Sequence, residues 1–445
     1  MNAHSVLNAS LARVWQAARK DASGWFSAVS ALPERPLDLL GQASALRRPY
    51  VFWQSADRRS SLLGVGELLR LQAAGPDRLH AIAEAGRSLS APLLLGVFAF
   101  SDRRPLAPPF RPFAPADFIV PQLLFEERDG VRSVHLLGRS GHEDPSDDAL
   151  ALLQSMLAAR PSPARHARVR FADRPGSRDA WRDEVRRARA CIRSGNLEKV
   201  VLARTSLALS TQPIEPALVV RALVAREPDC RVFAVHRGGR TFLGATPERL
   251  VRVEQGVAEV ACLAGSAPRG RSDDEDLAIG RDLVQSTKNR NEHSYVVQAV
   301  EAALRQQGLS PEVPSAPQLL RLRSVQHLFT PVRAHLGGGD TIFTLAAALH
   351  PTPALGGTPR DAAQAWISEH ERSPRGLYGG GVGYWRQDGE GEFDVAIRCA
   401  LVRGNAATLW AGCGIVGDSD PEEELRETEL KLRPMRQALR EASRP

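Results

Sequence analysis

Lysine, cysteine and aromatic residues are scarce in this 445-residue chain, and it contains no long apolar run. The longest, Ala91 to Phe100, spans ten residues, while a membrane-crossing helix needs about 20. The opening MNAHSVLNASLARVW has no basic segment followed by an apolar block, so no secretory signal is expected. Cysteine is limited to positions 191, 230, 262, 399 and 413, an odd number without a CxxC pair. Neither a disulfide framework nor a thiolate zinc site is expected, and a reducing cytoplasmic setting is. The net charge is +7, yet the cations are scattered singly or in pairs among acids. Neither nucleic acid nor membrane is therefore expected as a partner. No Lys follows a Gly, which removes the phosphate-binding P-loop, and HExxH and GxSxG are also missing. The Gly-rich pieces GATPER, LAGSAPRG and YGGGVGYW lack the GxGxxG spacing of a dinucleotide site.

The lysine shortage is informative in its own right. Only Lys20, Lys199, Lys288 and Lys431 stand against 54 arginines. Arginine cannot lose its proton in a protein, whereas a desolvated lysine can become a neutral amine. A lysine that persists under such a bias points to a place where arginine cannot serve. Lys199, Lys288 and Lys431 each lie in a dense segment: NLEKVVLART, STKNRNEHSYVV and EEELRETELK.

Residues 1–160 mix helical and strand patterns, with a proline-rich loop from Asp102 to Asp117. Residues 161–178 read as a polar connector, and 179–445 carries clearer helix and strand patterns. Apolar positions at 181, 185, 188 and 192 predict a helix over 179–193, closed by Gly195. Lys199 to Leu209 is β-branched and apolar, so a strand is expected with Lys199, Val201, Ala203 and Thr205 on one face. A hairpin is expected around Gly238-Gly239, and one long helix from Asp273 to Gln307. Asp420 followed by Pro421 marks the start of a C-terminal helix. Strands and helices in mixed order argue for an α+β fold with large, mainly antiparallel sheets.

Several charged groups are candidates for chemistry. Lys288 and Glu292 lie four apart on one expected helix, as do Glu427 and Lys431 on another. Each pair is compatible with a wet-surface salt bridge. Taken alone the salt bridge is the commoner outcome, and the functional reading is that Glu292 and Glu427 hold a hard divalent cation, since magnesium commonly takes one or two protein carboxylates and keeps waters. Glu424 shares the Glu427 face. His327 and His350 suit either a core or a site. Arg398, inside the apolar run FDVAIRCALV, must meet an anion or open water.

Read together, these segments resemble the chorismate-utilising enzymes, which include isochorismate synthase, anthranilate synthase component I, aminodeoxychorismate synthase and salicylate synthase. LEKVVLAR, FLGATPERL, LAGSAPRG, TKNRNEHSYVV, VQHLFT, LHPTPALGG, RGLYGGGVGYW, FDVAIRCALV and AGCGIVGDSDPEEELRETELK occur in the family's order over roughly residues 180–440. The resemblance implies one interwoven four-layer α/β/β/α domain, with two sheets packed face to face and helices outside. Ala354 after HPTP and Lys199 in LEKVVLAR point within the family to the water-adding branch, isochorismate synthase. An aminating or salicylate-forming member is the alternative. The resemblance further implies Lys199 as base and Glu248 as acid, with Mg²⁺ held by Glu292 and Glu427. Glu424 and Lys288 would assist from behind these ligands. Gly265, Ser266, His327, Ala354, Tyr378, Arg398, Gly412 and Lys431 would line the site for chorismate. A monomer or weak homodimer is expected.

Overall fold

The Lys199–Ser210 strand (KVVLARTSLALS) shows how the sequence pattern builds the layers. Val200 and Leu202 join a core that includes Trp181 and Val185 of the Ser177–Arg193 helix, while Ala203 joins Phe233, Phe242 and Trp410 between the sheets. Period-two alternation thus sends successive residues to different layers. The structure, a computed structural model, describes residues 11–18, 24–102, 106, 108–140, 148–162, 166–321 and 325–444, apart from the side chains of Lys288 and Glu292.

Among the described residues the larger sheet has twelve strands. Its order begins Trp25–Ala31, Val131–Arg139, Leu123–Arg128, Ser60–Val65, Tyr50–Gln54. It continues Arg231–Arg237, Arg240–Thr246, Cys399–Arg403, Ala406–Ile415, Lys199–Ser210, Gly357–Thr358, and Val169–Ala172 also pairs with Lys199–Ser210. The nine-stranded sheet runs Gln318–Arg321, Val325–His335, Val257–Pro268, Arg249–Glu254, Gly391–Val395, Gly381–Arg386, Leu93–Phe98, Ala116–Val120, Leu69–Ala73. Early and late strands interleave in both sheets. Val51, Trp53, Phe233 and Trp410 from one meet Leu95, Val97 and Val382 from the other in the central core. Helices Pro36–Ala45, Pro216–Arg226 and Pro421–Glu441 cover the larger sheet, and Arg78–Ser88, Thr287–Gln306 and Ile342–Leu349 cover the smaller. This is the α/β/β/α arrangement expected, within an α+β fold.

Three local expectations need correction. The span 273–307 holds two helices, Asp273–Gln285 and Thr287–Gln306, because Ser286 leaves helical geometry (ψ 112°) and its hydroxyl caps the Asn289 N–H. Ser prefers such an N-cap to a helix interior. The polar connector contains a strand, Val169–Ala172, which pairs with Leu207–Ser210. The run FDVAIRCALV is two strands, since it crosses from Gly391–Val395 in one sheet to Cys399–Arg403 in the other. The expected hairpin forms between Arg231–Arg237 and Arg240–Thr246.

Candidate active site

Arg398 occupies the crossover between the sheets, with a left-handed φ of 51°. That conformation is uncommon for a residue with a Cβ and costs about 1 kcal/mol or more, so it marks a place held by its surroundings. Arg398 is half-buried, and its Nη1 donates to the Lys431 carbonyl at 3.4 Å. The Pro421–Glu441 helix, capped by Asp420 at the Glu422 and Glu423 N–H groups, presents Glu424, Glu427 and Lys431 on this side. Lys431 Nζ donates to the Gly412 carbonyl at 2.9 Å and pairs with Glu427 at 2.5 Å. The salt bridge four residues apart is therefore formed, but its lysine is also anchored on the Ala406–Ile415 strand.

Glu248 lies where the chain leaves Arg240–Thr246 of the larger sheet for Arg249–Glu254 of the smaller. Its carbonyl accepts from Val395 N–H at 2.9 Å, and its own N–H donates to Thr246 Oγ1 at 3.2 Å. Burial pushes its carboxyl up to about 7, against the opposing pull of Lys431, Arg398 and Lys199. Three cations brought from three distant segments thus act on one acid. His327, on Val325–His335 of the smaller sheet, feels two of the same cations. Burial, then Arg398 and Lys431, hold its imidazole down to about 4, so the ring is neutral near pH 7. Its Nδ1 shares a hydrogen bond of 2.7 Å with Ser266 Oγ.

Glycines give the backbone its close approaches. Gly265 (φ 72°) interrupts the ladder between Val257–Pro268 and Val325–His335, and a Cβ there would meet Asn289 at 3.2 Å. At Gly412 a Cβ would come within 2.8 Å of the buried Tyr378 hydroxyl. Gly414 was not singled out from the sequence. A Cβ on it would stand 2.6 Å from Lys199 Cε, so the lysine side chain lies across this glycine. Two glycines inside one strand are the signal that points to such an approach.

Other expected members divide. Ala354 sits in the turn before Gly357–Thr358, half-buried, and its neighbour Leu355 offers its carbonyl to Arg375 at 2.9 Å. His350 belongs to the core, since its Nε2 bonds the Gly379 carbonyl at 2.8 Å and its ring lies edge-on to Phe98 and Phe100. Lys288 and Glu292 fall on the Thr287–Gln306 helix, and their side chains lie outside the described ones. Among the described residues no group of three or more His, Cys, Asp or Glu is placed to hold a metal. Two carboxylates nevertheless suit a cation. Glu424 Oε2 is buried without a hydrogen-bond partner, and its carboxyl is raised by burial and by Glu427. Two open clefts, each of about 340 Å³, lie around Trp53, Arg128 and Tyr384, and around Arg231, Leu263 and Phe329. Neither is lined by Lys199, Glu248, Arg398 or Lys431.

Known proteins share this framework. The family described as chorismate binding enzyme matches residues 11–440. The salicylate biosynthesis isochorismate synthase of Pseudomonas aeruginosa is 39% identical over 428 residues, covering 92% of this chain and 88% of that protein. Isochorismate synthase MenF of Bacillus subtilis is 37% identical over 79% of this chain and 75% of its own. The solved structure of the menaquinone-specific isochorismate synthase MenF from Escherichia coli superposes with a TM-score of 0.83 at 27% identity, over 97% of this chain and 99% of that one. The match runs through both sheets and both sets of helices, so the chain belongs to the family of chorismate-binding enzymes.

Proposed function

We propose that the chain converts chorismate to isochorismate, adding water at ring C2 with loss of the C4 hydroxyl. One observation carries this: a buried carboxyl with a pKa near 7 in the field of three cations, two of them lysines. A general acid works best with a pKa near the working pH, and Glu248 meets that condition as the donor to the departing C4 hydroxyl. Lys199 is the partner of opposite role. It takes a proton from the water attacking C2, which an arginine in its place would not do. Both similar proteins named above and the superposed structure carry the name isochorismate synthase, and Ala354 agrees with addition of water rather than ammonia.

The remaining residues bind and orient. Arg398, Lys431 and the Gly412 backbone receive the enolpyruvyl carboxylate. Gly265 and Ser266 border the ring-carboxylate side, and the neutral His327 positions a ring oxygen. Tyr378 backs Gly412 and keeps that wall closed. Glu292 and Glu427 would hold Mg²⁺, with Glu424 assisting through water and Lys288 balancing Glu292. The partnerless oxygen of Glu424 beside Glu427 supports a cation here. Bound there, the ion supplies charge neutralisation for the ring carboxylate.

Interleaved strands favour residues 1–160 and 179–445 as one folding unit around the 161–178 connector. The five cysteines are free, in keeping with a cytoplasmic enzyme, and no described helix is long and apolar enough to cross a membrane. The test is direct. Purified chain is incubated with chorismate and Mg²⁺ without an amine, and the product is identified by chromatography and mass. Isochorismate is expected. Salicylate with pyruvate, or an aminated ring once ammonia is added, would assign another branch.

A further inference from the structure

Part of the Lys199–Ser210 strand is closed at one edge by side chains instead of backbone. One edge pairs along nearly its whole length with Ala406–Ile415. On the other, Gly357–Thr358 covers Lys199 and Val200, and Val169–Ala172 covers Leu207–Ser210. Between these two partners the Val201 carbonyl accepts from Arg375 Nη2 at 2.6 Å, and the Ala203 N–H donates to Glu371 Oε2 at 2.9 Å. A neighbouring strand would ordinarily engage that acceptor and that donor. Glu371 and Arg375 also bind each other, Nε to Oε1 at 2.8 Å and Nη2 to Oε2 at 2.7 Å. Both side chains are almost sealed, with 3% and 4% exposure. The other end of the fork, Nη1, donates to the Leu355 carbonyl at 2.9 Å, next to Ala354. Phe100 covers the guanidinium face at 4.1 Å.

We propose that Arg375 and Glu371 are positioning residues that fix Lys199 against the Ala354 turn, and so fix where water is activated. This rests on the hydration reading above. The ion pair takes the place of a short strand. It fastens the base-bearing strand two residues beyond Lys199, about 7 Å along the chain, and it fastens the turn in the same grip. A planar fork is suited to this, because its donors leave in fixed directions that a lysine cannot reproduce. The groups assigned to the substrate anion, Arg398, Lys431 and Gly412, hang from other elements. Loosening the pair should therefore misplace the base more than it weakens the hold on the substrate anion, since Arg398 and Lys431 lie outside its grip while the Ala354 turn and Gly412, opposite Ala203, border it.

Three variants test this: Arg375→Lys, the double variant Glu371→Gln/Arg375→Met, and Leu152→Ala in a separate core under the Ala149–Ala158 helix. The double variant removes both charges at once, so no buried ion is stranded if a single change prevents folding. Turnover of chorismate at saturating Mg²⁺ is measured together with hydrogen exchange at the Ala203 amide. In the double variant kcat should fall about 100-fold, the size expected for a misplacement of about 1 Å, with KM within about threefold. Arg375→Lys should lie between it and wild type. The Ala203 amide should exchange faster in both, and Leu152→Ala should keep its kcat. A double variant with wild-type kcat, or one that loses only KM, would overturn the proposal. A wild-type chain that makes a different product removes the hydration reading instead, and exchange at Ala203 still decides whether the pair holds the strand.

Discussion

Glu248 shows how far burial alone can raise a carboxyl. Its carboxyl stands at about 7 instead of the ordinary 4.5, although three cations oppose the shift. The folded chain therefore holds this proton more tightly than the unfolded chain does. Stability from that proton is fully present below about pH 4.5 and is lost as pH rises through about 7. Glu248→Gln removes the penalty, and denaturant unfolding should show it more stable than wild type by ~1–3 kcal/mol at pH 8, with a much smaller gain at pH 5. The same variant should lose ~10² or more in kcat, and the wild-type alkaline limb near pH 7 should be absent from what remains. Gly414→Ala is a complementary case. The new methyl would meet the flexible end of Lys199 at 2.6 Å, not backbone. Its thermal midpoint should move by only a few degrees, while kcat falls ~10-fold or more as the amine is displaced. Neither effect was legible in the sequence. Lys199 stood out by its rarity, but what lies beneath it depends on the pairing of Val201 with Gly414, across more than 200 residues of chain.

At the scale of elements, local pattern was a good guide wherever one period held. Alternation gave the Lys199–Ser210 strand, Gly238-Gly239 gave the hairpin, and Asp420-Pro421 gave the last helix. Pattern failed where a tertiary partner intervened. The apolar run around Arg398 reads as one strand, and only the presence of two stacked sheets explains why it crosses between them with φ 51°. Ser286 splits a continuous helical pattern because its hydroxyl satisfies the Asn289 N–H better as a cap than within a helix. The Pro421–Glu441 helix carries the clearest element-level expectation. Glu427→Ala removes one carboxylate and releases Lys431 from a 2.5 Å ion pair. The Mg²⁺ concentration giving half-maximal activity should rise ~10-fold or more, read by titrating EDTA-treated enzyme with the metal. An unchanged metal requirement would remove Glu427 as a ligand.

The whole molecule depends on two sheets keeping their separation, because the residues proposed for the site, among them Lys199 and Gly412 on one sheet and Ser266 and His327 on the other, come from both. Arg231 of the larger sheet bridges Glu392 and Asp394 of the smaller, at 2.5 and 2.9 Å. Trp53 Nε1 donates to Asp394 at 2.7 Å from the same side as Arg231. Asp394 has no exposed surface, and burial and Glu392 raise its carboxyl. Arg231→Met would take the nearest cation from two buried acids, leaving Asp394 its Trp53 hydrogen bond and Glu392 the more distant Arg252 at 3.8 Å, so unfolding free energy should drop by ~3–5 kcal/mol, with Asp394→Asn restoring part of it. The sequence shows Arg231, Glu392 and Asp394 only as scattered charges, since their meeting follows from sheet stacking.

Isotope tracing of the transferred oxygen tests the central claim most directly. Chorismate and Mg²⁺ are incubated with the chain in H₂¹⁸O, and the product is fragmented by mass spectrometry. One ¹⁸O atom should appear on ring C2 with none retained at C4, and Lys199→Ala should show no incorporation while still binding chorismate. A product with unlabelled ring oxygen, or full incorporation by Lys199→Ala, would contradict the assignment of Lys199 as the base that activates water.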